Sequence, residues 1–227
     1  MIRENIVEVK RRISAACLRA KRDPAAVKLI AVSKNRSAAE INEAVLAGIT
    51  DLGENRVQEA LGKYEVFKGN PAPIQWHMVG HLQTNKAQEA VRIFDLIQSV
   101  DSMRLANAID KQAAKINKIQ DILLEVKTSP EAAKFGVKPD AVAGVIKEIS
   151  ALKNINIKGL MTIAPAVSSP EQARPYFREL KDLRDKINLP SVLRSPLSIL
   201  SMGMTDDFEV AIEEGSNMVR IGRAVFA

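Results

Sequence analysis

KLIAVSKNRSAAEINEAVLAG, residues 28–48, holds one complete copy of the unit from which the chain is built. Leu29 to Val32 form a continuous apolar run, the pattern of a short strand covered on both faces. Ser33 and Lys34 follow at once. The spacing then becomes helical, with Ile41, Ala44 and Val45 on one face and Gly48 as a C-terminal stop. The turn between strand and helix, SKNRSAAE, carries no glycine fingerprint of the kind that opens a dinucleotide-binding doubly wound sheet. The rival parallel architecture, a barrel, is therefore favoured.

The same unit recurs outward from this stretch. Strand-like runs are expected at 28–33, 49–53, 74–80 and 94–100 in the first half, and at 121–127, 157–163, 197–203 and 218–222 in the second. Helical segments lie between them: YFRELKDLRDKI repeats Phe177, Leu180, Leu183 and Ile187, and a helix is expected at 205–215 before Gly215. Eight strands alternating with helices predict a single (β/α)₈ TIM barrel over residues 1–227. Ile6, Val9, Ile13 and Cys17 share a helical face before the first strand, so an extra N-terminal helix packs on the body. The proline-rich pieces APAVSSPEQARP and NLPSVLRSPL read as loops around the seventh helix, not as domain linkers.

Composition narrows the function classes. Aromatic residues make up only 4%, so the core must be built from Ile, Leu, Val, Ala and Met. Cys17 is the only cysteine, which excludes an internal disulfide framework and suits a reducing cytoplasm. No run approaches the ~18 apolar residues of a membrane span, and the first residues have no apolar signal core. A cytoplasmic protein is expected, with no membrane partner. The net charge of +6 is dispersed along helices such as RELKDLRDK, where acids alternate with bases. Nucleic-acid binding is not expected; a mild positive field suits a phosphorylated small molecule.

In a barrel, chemistry gathers at the C-terminal ends of the strands. Those ends here carry Ser33-Lys34, GENR (53–56), WHMVGHLQTNK (76–86), SMGMTDD (201–207) and RIGR (220–223). Lys34 is either a solvated charge or an amine desolvated against the barrel wall, able to attack an aldehyde. The glycines of SMGM and RIGR either turn the chain or expose N–H groups to a phosphate. Arg220 shares a strand face with Gly222. It is either a structural ion-pair partner or, with a lysine for an aldehyde and glycines for a phosphate, the residue facing the ring nitrogen of pyridoxal phosphate. An arginine there keeps that nitrogen unprotonated and weakens the electron sink. His77 and His81 are four apart, but on a strand that spacing is ~13 Å, which disfavours a shared zinc. His77 is expected near the ligand ring or just behind it; Asn55 either bonds a ligand hydroxyl or caps a helix. Neither a G-x-S-x-G elbow nor a Walker loop is present.

With AVSK, GENRVQEA, WHMVGHLQTNK, SMGMTDDFEVAIEEGS and VRIG in that order, the chain resembles the YggS/PROSC family of pyridoxal phosphate homeostasis proteins from about residue 5 onward. The resemblance implies a barrel like the N-terminal domain of alanine racemase, holding pyridoxal 5′-phosphate as an imine on Lys34. It further implies Asn55 close to the cofactor, Ser201, Gly203 and Gly222 at the phosphate, and Arg220 against the pyridine nitrogen. Many members carry a small hydroxyl residue after RIG, where this chain has Arg223. Its backbone N–H remains available, and its guanidinium either reaches the phosphate or points away. The sequence stops at AVFA, five residues after Gly222, short of the polar tail common in the family.

Two functions on this cofactor compete: a carrier that buffers pyridoxal phosphate and delivers it to apo-enzymes, and an amino-acid racemase. A phosphate-metabolite enzyme on an unrelated barrel comes third. Racemisation needs proton donors on both faces of the cofactor. Alanine racemases take the second from a tyrosine on a partner subunit's extra domain, whereas this chain has only Tyr64 and Tyr176, neither at an expected strand end. The carrier is favoured, and with no long exposed apolar stripe, a monomer.

Overall fold

The computed structural model describes residues 1–131, 134–189 and 196–227. Most of the second proline-rich loop, 190–195, lies outside them. Eight parallel strands close on themselves in sequence order: β1 (Lys28–Val32), β2 (Asp51–Glu54), β3 (Gln75–Met78), β4 (Leu96–Val100), β5 (Gln120–Glu125), β6 (Ile155–Met161), β7 (Ile199–Ser201) and β8 (Met218–Ile221). The expected barrel is present, and β8 returns to β1 in the register Ile30↔Arg220. Among the described residues nine α-helices accompany the strands: α1 (Ile2–Arg19), α2 (Ala38–Leu46), α3 (Val57–Phe67), α4 (Ala87–Ile93), α5 (Met103–Lys115), α6 (Val142–Ile149), α7 (Arg174–Asn188), α8 (Phe208–Glu213) and α9 (Arg223–Phe226).

Local sequence explains the units. In the first, Ser37 accepts from the Glu40 N–H while Glu40 reaches back to the Ser37 N–H, a complete capping box that starts α2 directly after the Lys34 turn. The unit ends with Gly48 at φ +85°, a backbone that glycine adopts freely. The expected face of α1 is buried at Ile6, Val9, Ile13 and Cys17. This extra helix packs on α8 and α9, with Arg12 and Arg19 paired to Glu209 and Glu213.

Most strands are shorter than the runs read from sequence, and two show why. The run 197–203 yields only Ile199–Ser201, because Gly203 turns at φ +96°. The run 49–53 begins pairing at Asp51, after Gly48 and Ile49 complete the helix stop. Two separate clusters make up the core. The larger fills the space between barrel and helices; the smaller, Ile30, Leu96, Leu123, Met161 and Met218, lies inside the barrel.

Gly159 sets how closely β6 and β7 approach. A Cβ built there would lie 2.0 Å from the Ile199 carbonyl oxygen. Gly159→Ala is expected to open this seam and cost about 3 kcal/mol or more in urea unfolding, in the range of severe overpacking. A cost below ~0.5 kcal/mol, typical of an unstrained surface change, would contradict this register.

Candidate functional site

A cavity of about 400 Å³ opens where the C-terminal ends of the strands meet. Lys34, Asn55, Arg220, Gly222 and Arg223 line it, so five of the eight residues singled out from sequence converge. Val32, Val79 and Ile163 give it apolar walls, and Met204, Thr205 and Asp206 form one side.

The turn bearing Lys34 is clamped from below. The Ser33 N–H donates to the Gly53 carbonyl, and the Ser33 carbonyl accepts from Lys63 Nζ at 2.6 Å. The Asn35 N–H donates to Glu59, and Asn35 sits in the left-handed region at φ +58°. Of the two environments the sequence leaves open for Lys34, the solvated one is found: the side chain is exposed at the cavity mouth. It makes no ion pair among the described residues, so a free amine faces the cavity.

Arg220 forms the floor. Its Nη1 donates to Ser201 Oγ at 2.6 Å and its Nη2 to the Thr162 carbonyl at 2.8 Å. Burial lowers its pKa to about 10, opposed by the carboxylates of Asp207 and Glu125, so it stays cationic at neutral pH. Glu125, at the end of β5 and on the same strand face as the interior Leu123, is pushed up to about 7. Burial is the main cause and Asp101 adds to it, while Arg220 pulls the other way.

Gly80 supports Asn55 from beneath: a Cβ on Gly80 would fall 2.4 Å from the Asn55 carbonyl oxygen. Gly203 acts behind the wall. A Cβ there would sit 2.6 Å from Ala211 Cβ and 2.8 Å from Phe208 Cα, so its lack of a side chain lets the loop fold onto α8. That loop is pinned by the Met204 N–H donating to Asp207 Oδ1 at 2.6 Å. Thr205 and Asp206 line the cavity, and their N–H groups have no acceptor among the described residues. The Arg223 guanidinium, left open by the sequence, turns to Asp206.

His77 and Ser201 are not cavity residues. Both ring nitrogens of His77 are already engaged, Nε2 with Asp51 at 2.9 Å and Nδ1 with Gln98 at 3.1 Å. The ring sits inside the barrel because Trp76 and Met78, its neighbours on β3, take the outward positions in the main core. Ser201 lies beneath Arg220, with its hydroxyl donating to Gln98 Oε1 at 2.6 Å. Sequence reasoning missed Thr205, Gly80 and Ile163. Thr205 falls within SMGMTDD, where attention went to Ser201 and Gly203; Gly80 and Ile163 close the expected strands 74–80 and 157–163, but neither carries a polar side chain to draw notice. His81, left without a role, stacks on Phe135 with centroids 3.7 Å apart.

Comparisons with known proteins agree with this geometry. The family model described as "Alanine racemase, N-terminal domain" matches residues 2–227. A protein from Aquifex aeolicus (strain VF5), named pyridoxal phosphate homeostasis protein, is 43% identical over 98% of this chain and 96% of its own. The chain belongs to the pyridoxal phosphate homeostasis protein family. The family member from Escherichia coli (strain K12) is 33% identical over 99% of this chain and 95% of its own. The structure of PipY from Synechococcus elongatus PCC7942, solved with PLP bound, superposes with a TM-score of 0.85 at 34% identity, covering 100% of both chains. An alanine racemase from Clostridium difficile 630 shares the fold, with a TM-score of 0.73 at 14% identity, 99% of this chain and 56% of that one being covered. No helix among the described residues is long and apolar enough to cross a membrane.

Proposed function

We propose that this chain binds pyridoxal 5′-phosphate at the C-terminal mouth of the barrel, attached through Lys34, and serves as a carrier that buffers the cofactor and releases it to apo-enzymes. The observation that carries this reading is the placement of an unpaired lysine amine and a buried arginine around one cavity of about 400 Å³. The cavity suits the group: apolar walls for a flat ring, a cationic floor, and two unpartnered N–H groups at Thr205 and Asp206 on the rim. Lys34 would hold the aldehyde carbon, Arg220 the ring nitrogen, Asn55 a ring substituent. The Thr205 loop, Gly222 and the Arg223 backbone would hold the phosphate. Ser201, Gly203 and His77 would act from behind, through Arg220 and the loop.

Pyridoxal phosphate, when bound, supplies an electrophilic carbonyl and an electron-withdrawing ring. Arg220 is already a cation and cannot give a proton up readily, so the ring nitrogen opposite it keeps its lone pair. That arrangement suits retention of the cofactor more than carbanion chemistry. The tyrosines point the same way. Tyr64 packs edge-on against Trp76 with centroids 6.1 Å apart, and Tyr176 packs on the outer core, so neither reaches the cavity. A racemase would need a second proton donor there. The carrier is read as a monomer working in the cytoplasm.

The test combines an absorbance spectrum with borohydride trapping and peptide mapping. The loaded protein is expected to show a visible band that borohydride bleaches, leaving a pyridoxyl adduct on Lys34. Lys34→Ala should abolish band and adduct while shifting stability by less than about 0.5 kcal/mol, as for an exposed side chain. Incubation with L-alanine should yield no D-alanine above the rate of free cofactor. An adduct elsewhere, or rapid racemisation, would overturn the respective half of the reading.

A further inference from the structure

A polar path runs through the barrel interior from the cavity floor to its opposite end. Arg220 Nη1 donates to Ser201 Oγ, whose hydroxyl donates to Gln98 Oε1. Gln98 Nε2 lies 3.1 Å from His77 Nδ1 and donates to Met218 Sδ at 3.2 Å. His77 Nε2 lies 2.9 Å from Asp51 Oδ1, which also accepts from Lys28 Nζ at 2.9 Å, while Asp51 Oδ2 accepts from Thr50. Ser201, Gln98, His77, Asp51 and Arg220 are all buried, and they come from five different strands.

The path has only one fully satisfied direction. Arg220 can only donate, so Ser201 must accept from it and its proton is free for Gln98. Asp51 is held ionised. Burial alone would raise its pKa, but hydrogen bonds from His77, Lys28 and Thr50 outweigh that and hold it at about 2. An ionised Asp51 can only accept, so His77 must carry its proton on Nε2. Its Nδ1 then accepts from the Gln98 amide. Reversing Gln98 would set its carbonyl against a bare ring nitrogen and leave the Ser201 proton without an acceptor.

We infer that Ser201, Gln98 and His77 are positioning residues that aim the Arg220 guanidinium at the cofactor cavity, anchored by Asp51 at the far end of the barrel. This rests on the binding reading above. Two Arg220 N–H groups are fixed, one on the backbone of Thr162 and one on Ser201, and together they set where the remaining N–H groups point. The Thr162 contact alone leaves the guanidinium free to pivot. Ser201 stops the pivot only while Gln98 holds its hydroxyl, and Gln98 does so only while His77 and Met218 hold its amide.

The test uses Gln98→Met, which keeps side-chain length but removes both ends of the amide, with two ligands. One is pyridoxal 5′-phosphate; the other is its 1-deaza analogue, in which a C–H replaces the ring nitrogen. Loss of positioning should weaken the variant's affinity for pyridoxal phosphate about 5- to 10-fold, as for one misaligned hydrogen bond. Affinity for the deaza analogue should change less than about 2-fold, because that ring has no nitrogen for Arg220 to meet. Ser201→Ala, a smaller perturbation, should give the same pattern. Equal losses for both ligands, or no loss for either, would overturn the inference. Failure of the unmodified protein to bind either ligand would instead sink the binding reading. The histidine tautomer is measured without ligand, from long-range ¹H–¹⁵N couplings near about pH 8. A proton on Nε2 and a bare Nδ1 are expected from the partners on either side, and a proton on Nδ1 would refute the chain.

Discussion

Lys63→Met is expected to lower the unfolding free energy by about 3–5 kcal/mol at neutral pH, the cost of breaking a buried ion pair by removing one partner. Lys63 projects from α3 under the Lys34 turn. Its ammonium lies 2.8 Å from Glu54 and 2.7 Å from Glu59, and it also donates to the Ser33 carbonyl. Glu54 is fully buried. Burial pushes its pKa up, opposed by hydrogen bonds from Lys63 and Ser33, and its Oε2 has no partner among the described residues. With Lys63 gone, the carboxylate must protonate or remain an uncompensated buried charge. Protonation relieves the penalty, so the loss should shrink as the pH falls towards 5 and persist at about pH 8. Glu54→Gln in the same chain should restore part of the stability at neutral pH, a coupling that urea titrations of the two single variants and the double variant would measure. Additive losses would mean that Lys63 acts through Ser33 and Glu59 and not through Glu54. Because Lys63 also clamps Ser33 and Glu59 holds the Asn35 N–H, the variant should bind pyridoxal phosphate more weakly as well.

Lys63 also illustrates what the sequence hides. In VQEALGKYEVF it sits four residues after Glu59, the spacing of an ordinary surface pair on a helix. Only the packing of α3 over the barrel mouth makes it a buried cation. By contrast, the barrel was legible, because each strand is a local apolar run and each turn a local change of period. Lys34, Asn55, Arg220 and Gly222 were legible because a parallel barrel brings all its strand ends to one rim. For His77 the sequence leaves two positions open, at the ring or behind it, and for Ser201 it suggests the cavity, since facing the cavity and lying beneath it differ by one layer of the barrel interior. Gln98 gives no local signal at all: it matters through Ser201 and His77, 103 and 21 residues away. Gly203 stands out within SMGM, but its use depends on α8, whose Ala211 and Phe208 fill the space that a side chain would need.

Glu125→Gln should stabilise the protein in alkaline solution and leave it unchanged in acid. The folded-state pKa of about 7 lies above the ordinary carboxylate value of 4.5. Between those two values the folded state holds a proton that the unfolded chain releases, so stability falls as the pH rises through that window. Below about pH 4.5 both states are protonated and the group contributes nothing. Above about pH 7 the penalty is complete, on the order of 3 kcal/mol from a shift of this size. Glutamine keeps the shape and is neutral at every pH, so the variant escapes the penalty. The stability difference between variant and parent should therefore be near zero at about pH 4, grow through about pH 6, and level off near 3 kcal/mol above about pH 8. Urea unfolding without added pyridoxal phosphate measures it, since bound ligand would add its own linkage. A difference independent of pH would mean that Glu125 ionises normally. A variant less stable at neutral and alkaline pH would mean that the carboxylate is held by Arg220 strongly enough to outweigh burial, reversing the balance assigned to this pair.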